Sequence, residues 1–118
     1  MEQPSNKELS RAFIALPSFL IKWSKIGFLE DDMIRLENEL LANPKVGAVL
    51  KGTKGARKMR FSFQHRGKSG SARVIYVDFE ISRDIYFVDV FAKSEKENIS
   101  AEERNELKSV VEMLELEN

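Results

Sequence analysis

The sequence has no cysteine and a single histidine in 118 residues. Without cysteine there are no disulfides, thiol nucleophiles or cysteine-ligated zinc sites. One histidine, His65, excludes an imidazole triad and a histidine-rich metal site, and its loop context favours a surface turn residue. No apolar run approaches the ~20 residues that span a bilayer. The first residues also lack the cationic and apolar regions of a secretory signal. We therefore expect a cytoplasmic protein with no metal and no cofactor.

Acidic residues are absent between positions 43 and 77, although the net charge of the chain is zero. The basic residues of this window are Lys45, Lys51, Lys54, Arg57, Lys58, Arg60, Arg66, Lys68 and Arg73. From Glu95 onward the chain is predominantly acidic. A basic block within a folded pattern indicates a polyanionic partner. A solvated surface of strands and turns is the simpler alternative, and the long absence of acids favours the partner.

Composition predicts a soluble globular chain, with 42% hydrophobic and 32% charged residues. At 13.6 kDa it most simply forms one domain, residues 1–118. The short apolar segment at residues 11–16 indicates a strand. Pro17 is suited to the first turn of a following helix, and Gly27 is suited to its end. A second helix begins at the acidic residues 30–32 and ends before Pro44. The apolar stripes of the two helices are Phe19, Leu20, Trp23 and Ile26, then Met33, Leu36, Leu40 and Leu41.

The second half of the chain predicts three strands and a helix. A loop at 45–56, with a brief strand at 48–50, leads into β patterns at 57–64, 72–79 and 84–92. Ser100 and Glu103 form a capping-box pattern that opens a final helix. The apolar stripe of that helix is Leu107, Val110, Val111 and Leu114. Together these elements predict an α+β fold with an N-terminal helical hairpin, a small antiparallel sheet arranged as a meander, and a C-terminal helix.

Gly67-Lys68-Ser69 looks like the end of a phosphate-binding P-loop. That motif needs a glycine five positions before Gly67, where this chain has Ser62. The pair Gly47 and Gly52 has the right gap, but Thr53-Lys54 follows in the wrong order. A strand rather than a helix follows both stretches, so the sequence argues against a nucleotide-binding loop.

The basic strand pattern supports a different phosphate chemistry. Lys58 and Arg60 are two apart on a strand and emerge on one face, about 7 Å apart. Arg73 begins the next strand and Lys93 follows the third, so four cations can converge at one end of the sheet. Such a cluster can hold RNA phosphates and stabilise a transition state rich in negative charge. RNA cleavage needs no metal, because the ribose 2′-OH can act as an internal nucleophile. A phosphate-binding surface without catalysis is equally consistent with this spacing.

Three stretches occur in order along the chain: LLANPKVGAVLKGTKGARKMRF, GKSGSARVIY and VFAKSEKENISAEERNELK. The segment from about Leu36 to Leu107 thereby resembles the RelE/ParE superfamily of bacterial toxins, in particular its HigB-type branch. The resemblance implies a RelE-like fold and the toxin of a type II toxin–antitoxin system. It implies a metal-independent endoribonuclease, an mRNA interferase that cuts mRNA in the ribosomal A site by 2′-OH attack on the adjacent phosphate. The implied partners are the ribosome, mRNA and a cognate antitoxin, usually a helix-turn-helix DNA-binding protein, with no membrane involved.

The resemblance also assigns residues. Lys58, Arg60, Arg73 and Lys93 match the catalytic cations of the ribonuclease members. Further RNA-binding candidates in the basic window are Lys51, Lys54, Arg57, Arg66 and Lys68. A ParE-like inhibitor of DNA gyrase and a non-catalytic RNA- or protein-binding relative are the alternatives.

The chain departs from the family pattern at several positions. Ser94 and Ser100 stand where some ribonuclease members have an arginine and a tyrosine, which leaves Tyr76 to be weighed as a substitute proton-transfer group or a packed strand residue. Lys54 and Ser71 stand where glycine is common.

Overall fold

The computed structural model describes residues 11–63, 70–96 and 98–118, which form five strands and three helices. In chain order these are β1 (Ala12–Ala15), α1 (Pro17–Ile26), α2 (Glu30–Ala42), β2 (Ala48–Val49), β3 (Arg57–Ser62), β4 (Ser71–Phe79), β5 (Asp84–Ala92) and α3 (Ala101–Glu117). The predicted helical hairpin and C-terminal helix are confirmed. The strand predicted at 57–64 ends at Ser62, and Gln64 lies outside the described residues. Within the described ranges, no helix is long and apolar enough to cross a membrane.

The strands form one sheet in the order β1-β5-β4-β3-β2. Strands β3, β4 and β5 make the predicted antiparallel meander. The sheet is nevertheless mixed, because β1 pairs with β5 in parallel and places Phe13 opposite Ile85. The helical hairpin follows β1 and carries the chain across one face of the sheet. The short strand β2 is then added at the opposite edge, antiparallel to β3.

One face of the sheet packs against α1 and α2 through an aromatic core. Gly27 has a φ of 107° and ends α1 in the left-handed conformation that glycine adopts without strain. Trp23 stacks on Phe28 with ring centroids 4.2 Å apart, and both rings contact Phe61 of β3. The other buried members of this core are Phe19, Leu36, Leu40, Met59, Ala72, Val74, Tyr76, Ile85, Phe87 and Val90. Each such ring or aliphatic side chain contributes ~1.5–3 kcal/mol on burial, so the helices hold β3 and β4 firmly.

The predicted helical stripes are wider than those the structure buries. Leu20 and Leu41 are each 48% exposed, whereas Phe19 and Leu40 are fully buried. Each exposed leucine comes one residue after a buried one and is therefore turned by about 100° around the helix axis. The core buries the i, i+4 row of each helix, and the stripe residues Ile26 and Met33 pack against it while partly buried.

The opposite face of the sheet packs against α3. Ser100 Oγ accepts the N–H of Glu103 and Glu103 Oε1 accepts the N–H of Ser100, which confirms the predicted capping box. The buried residues of this second core are Leu50, Ala56, Ile75, Val77, Tyr86, Val88, Phe91, Ile99, Leu107, Val111 and Leu114. Because helices cover both faces, β4 is buried along most of its length, and its nearly continuous apolar pattern follows.

Candidate nucleic-acid interface

The register of β3 and β4 places three of the predicted catalytic cations on one face of the sheet. Arg60 lies directly opposite Arg73, and Lys58 lies opposite Ile75, two positions along. Side chains alternate between faces along a strand, so Met59 and Phe61 enter the aromatic core while Lys58 and Arg60 point to the α3 side. Arg73 and Ile75 share that side on β4, and Ile75 is part of the core beneath α3.

The fourth predicted cation, Lys93, lies at the same end of the sheet. Its backbone N–H donates to Ser71 O at 3.1 Å, directly after the end of β5. Glu95 fixes the turn that carries it, because Glu95 N–H donates to Ala92 O at 2.9 Å and Glu95 Oε1 accepts the N–H of Ala92 at 3.1 Å. On β5, Phe91 lies opposite Arg73. The four cations therefore lie on three neighbouring strands: Lys58 and Arg60 on β3, Arg73 at the start of β4, and Lys93 directly after β5.

The side chains of this cluster differ in exposure. Arg73 is only 4% exposed, and its Nη1 donates to Ser71 Oγ at 2.8 Å. Arg60 is exposed, whereas Lys58 is half-buried and its Nζ donates to Asn98 Oδ1 at 3.2 Å. A buried guanidinium held by the sheet offers a fixed set of donors, and the exposed one beside it can adjust to a bound anion.

The segment before α3 forms the rim of the cluster. Lys96 and Glu103 make a close ion pair, and Lys96 Nζ lies 4.7 Å from the centroid of the Phe91 ring. The hydrogen bond from Lys96, followed by that from the Ser100 N–H, lowers the pKa of Glu103 to about 2. Glu103 is therefore a carboxylate at neutral pH, and it accepts hydrogen bonds from these neighbours at the rim. Sequence reasoning missed Asn98 and Lys96, because nothing in the local pattern of a turn indicates which strand residue it will contact.

Two further RNA-binding candidates, Lys51 and Lys54, lie in the loop before β3 and contact α3. Lys54 Nζ is 3.2 Å from Glu115 and 3.9 Å from Glu112 of α3. The side chain of Lys51 is exposed, while its carbonyl accepts a hydrogen bond from Arg104 at 3.0 Å. Lys54 has a φ of 61°, the left-handed conformation that glycine adopts without strain, which agrees with the glycine that the resemblance leads one to expect there.

Arg57 points to the face of the sheet that α1 and α2 cover, away from the cluster on the α3 side. It precedes Lys58 on β3 and so points to the opposite face of the sheet. Its Nη1 donates to Gly47 O at 2.7 Å and to Lys45 O at 3.4 Å, which fastens the loop after α2. Arg66 and Lys68 lie outside the described residues, as does His65.

Tyr76 is a packed residue on the far side of the sheet from Arg73. Its hydroxyl donates to Pro44 O at 2.8 Å and accepts the N–H of Gly47 at 2.9 Å. A Cβ at Gly47 would lie 2.9 Å from Tyr76 Cε1, so only glycine permits this approach. Burial raises the pKa of Tyr76. The tyrosine therefore cannot reach the cluster as a proton-transfer group.

The surface beside the cluster is open. A shallow cavity of about 340 Å³ lies between the end of β5 and the start of β4, lined by Phe63, Gly70, Ser71, Ala92, Lys93 and Ser94. A wider groove of about 820 Å³ continues from it along β5. Among the residues that the structure describes, no group of three or more histidine or acidic side chains could hold a metal ion. An open basic surface suits an extended polyanion better than a small enclosed ligand.

Comparison with known proteins gives both a family and a fold. The profile of the family described as "RelE toxin of RelE / RelB toxin-antitoxin system" matches residues 20–117. A free double mutant of the E. coli toxin RelE superposes with a TM-score of 0.53 at 18% identity, over 73% of this chain and 86% of that one. The toxin–antitoxin complex E. coli RelBE matches with a TM-score of 0.50 at 16% identity, over 70% of this chain and 96% of that one. At these identities the structures show a shared RelE-like fold. Since the family profile covers most of the sequence, from α1 to the end of α3, this chain belongs to the RelE toxin family.

Proposed function

We propose that this chain is a HigB-type toxin that cuts mRNA in the ribosomal A site. The observation that carries the proposal is the placement of Lys58, Arg60, Arg73 and Lys93 on adjacent strands of the sheet. Three consecutive strands contribute to it, and the register of β3 and β4 fixes two of the cations opposite each other. The spacing of these residues along the sequence, the family match and the exposed surface all agree with an RNA phosphate as the ligand.

The proposed reaction needs charge stabilisation and proton transfer. The ribose 2′-oxygen loses its proton and forms a bond to the adjacent phosphorus, while the bond from phosphorus to the 5′-oxygen breaks. The leaving 5′-oxygen takes up a proton, and the products are a 2′,3′-cyclic phosphate and a 5′-hydroxyl. Negative charge grows on the phosphate oxygens during attack, where Arg60 and Arg73 donate hydrogen bonds.

The composition of the cluster also limits which of its side chains can transfer protons in the proposed reaction. Arginine keeps its charge in proteins, so among the four predicted catalytic residues only Lys58 and Lys93 can give or take a proton. Lys58 is the better placed of the two, because Asn98 Oδ1 fixes its Nζ beside the β3–β4 pair. Lys93 is exposed and positioned through the turn that Glu95 closes. We assign Lys58 to proton transfer and Lys93 to binding of the RNA backbone.

A cognate antitoxin is the proposed protein partner. The RelBE complex of E. coli pairs a toxin of this fold with an antitoxin. A helix-turn-helix antitoxin encoded beside this gene, and able to relieve its toxicity, would fit the HigB-type assignment.

The proposal is tested by mapping RNA ends on a translated mRNA with purified ribosomes. The wild-type chain should produce new 5′ ends within the translated region, whereas Arg60→Ala and the Lys58→Ala/Arg60→Ala pair should not. Lys108→Ala is the matched control, because Lys108 is an exposed cation on α3 and should leave cutting unchanged. Uncut mRNA together with a DNA-damage response would instead identify a ParE-like gyrase inhibitor. RNA binding without cut ends would identify a non-catalytic relative.

A further inference from the structure

We propose that the groove along the end of β5 is a subsite for the nucleotide next to the one that is cleaved. The proposal rests on the proposed function and assigns to it a second stretch of RNA-binding surface. The groove has a volume of about 820 Å³. Sites of about 300–1,000 Å³ hold drug-sized ligands, so one nucleotide fits with room to spare.

The groove adjoins the basic cluster at Lys93. Phe63, Ala92 and Ser94 line both this groove and the smaller cavity beside Lys93. A strand of RNA whose phosphate lies against Lys93 can therefore pass Phe63 and enter the groove without leaving the protein surface.

The lining combines cations with aromatic and aliphatic surface, which is the pattern of single-strand binding sites. Its key residues are Lys22, Lys25, Lys96, Ile26, Phe63 and Phe91. One face of Phe63 stacks on Phe28 at a centroid distance of 4.7 Å, which holds the ring in place. The lysines come from the last turns of α1 on one side and from the turn after β5 on the other. A base against the apolar floor and a phosphate at the lysine rim would use both kinds of surface.

The two lysines that α1 contributes, Lys22 and Lys25, can be redirected to a phosphate at low cost, whereas Lys96 is held by its ion pair with Glu103. Lys25 is exposed and makes no ion pair or hydrogen bond with any described residue. Lys22 lies 2.8 Å from Asp89, but its side chain is 53% exposed, and ion pairs at such exposure contribute little.

The backbone of β5 argues against an added peptide strand as the occupant. Within the described ranges, the only strand on this side of β5 is β1, which covers its first half. Two N–H groups of the second half are already occupied: that of Val90 donates to Asp89 Oδ1 at 2.9 Å, and that of Ala92 to Glu95 Oε1 at 3.1 Å. Side chains that cap an edge in this way hinder strand pairing. The groove lining contains three lysines and one carboxylate, that of Glu95, which already accepts the N–H of Ala92. This excess of cations beside aromatic and aliphatic side chains favours RNA.

The subsite is tested with a 2′-O-methylated RNA pentanucleotide, which lacks the nucleophile and cannot be cut. Fluorescence anisotropy across a salt series gives its affinity and the slope of log K against log salt. The Lys22→Gln/Lys25→Gln variant should bind roughly tenfold more weakly at low salt, with a slope shallower by about 0.7 for each phosphate that the variant no longer neutralises. Phe63→Leu should weaken binding with no change in slope, since stacking releases no counterion. Lys108→Gln is the matched control for removal of an exposed lysine.

Several outcomes are decisive. If the lysine pair and Lys108→Gln give the same affinity and slope, the subsite does not exist. If the lysine pair leaves RNA binding intact but weakens binding to the antitoxin, the groove belongs to a protein partner and the proposal is overturned. A wild-type chain that cuts no mRNA, yet loses RNA affinity in the groove variants, would overturn the proposed cleavage alone. Thermal unfolding of each variant confirms that the chain remains folded.

Discussion

Arg60 lies directly opposite Arg73 in the antiparallel pair of β3 and β4, so two guanidinium side chains rise next to each other from one face of the sheet. Residues opposite each other in such a pair have Cβ atoms about 4.5–5.5 Å apart, and like charges at that distance are destabilising. Arg73 is also 4% exposed, which adds the cost of removing a charge from water. In the proposed function, an RNA phosphate held by both arginines would offset this repulsion.

The arginine pair predicts opposite effects on stability and on activity. Replacing Arg60 with threonine removes the repulsion and introduces a residue suited to a strand. The free energy of unfolding should stay level or rise by about 0.2–1 kcal/mol, while RNA cutting is lost. Urea unfolding and RNA end mapping on the same variant check this. A large loss of stability, or cutting at the wild-type level, would show that Arg60 serves the fold and not the reaction.

Tyr76 should prove structural when its hydroxyl is removed. In a Tyr76→Phe variant the N–H of Gly47 loses its acceptor and the carbonyl of Pro44 loses its donor. An unsatisfied buried polar group costs about 1–3 kcal/mol, so the urea midpoint should fall by a corresponding amount. Cutting should persist at temperatures where the variant is folded, since Tyr76 and Arg73 lie on opposite faces of the sheet.

Tyr86→Phe is the matched control for that experiment. Among the described residues, the hydroxyl of Tyr86 has one hydrogen bond, a long one of 3.4 Å from Asn118 Nδ2, so its removal should change stability much less. Loss of cutting in a fully folded Tyr76→Phe protein would contradict the structural role.

The ion pair of Glu103 predicts a pH dependence of stability. The pKa of Glu103 is lowered from 4.5 to about 2 in the folded chain, so the folded state favours the carboxylate form. Its stabilising contribution is present above pH 4.5 and is lost as the pH falls from about 4.5 to about 2. The Glu103 side chain is 38% exposed, so solvent and salt reduce the size of the effect. Urea unfolding between about pH 2 and about pH 6 should show a steeper acid limb for the wild type than for Glu103→Gln.

Glu102→Gln provides the control for this pH series. Glu102 is exposed in the same turn of α3 and forms no ion pair or hydrogen bond with the described residues. Its variant should follow the wild-type curve. If Glu103→Gln also follows that curve, the ion pair with Lys96 does not contribute to stability in solution.

Much of the fold could be predicted because its signals are local. Pro17, Gly27 and the Ser100–Glu103 capping box mark helix ends through their own backbone chemistry, and the structure places them there. The parallel pairing of β1 with β5 could not be predicted, since two apolar strands carry no mark of their partner or direction.

The alternation of side chains along a strand made one part of the candidate site predictable, namely which basic residues of β3 share a face of the sheet. Lys58 and Arg60 share a face because they are two residues apart, and the same rule places Arg57 on the opposite face, where it bonds to Gly47 O. The run of basic residues between positions 43 and 77 does not by itself show which of them lie on the same face of the sheet. The contact between Lys58 and Asn98 depends on how the chain before α3 packs against the sheet, which no local pattern encodes.

The most direct test of the central claim is end mapping of a translated mRNA with wild-type and Arg60→Ala protein on purified ribosomes. The account predicts that wild-type protein creates new ends, with a 2′,3′-cyclic phosphate on the upstream fragment, and that Arg60→Ala creates none while remaining folded. Cut ends at the same positions and at equal yield with Arg60→Ala would contradict the assignment of the cation cluster as the reaction site.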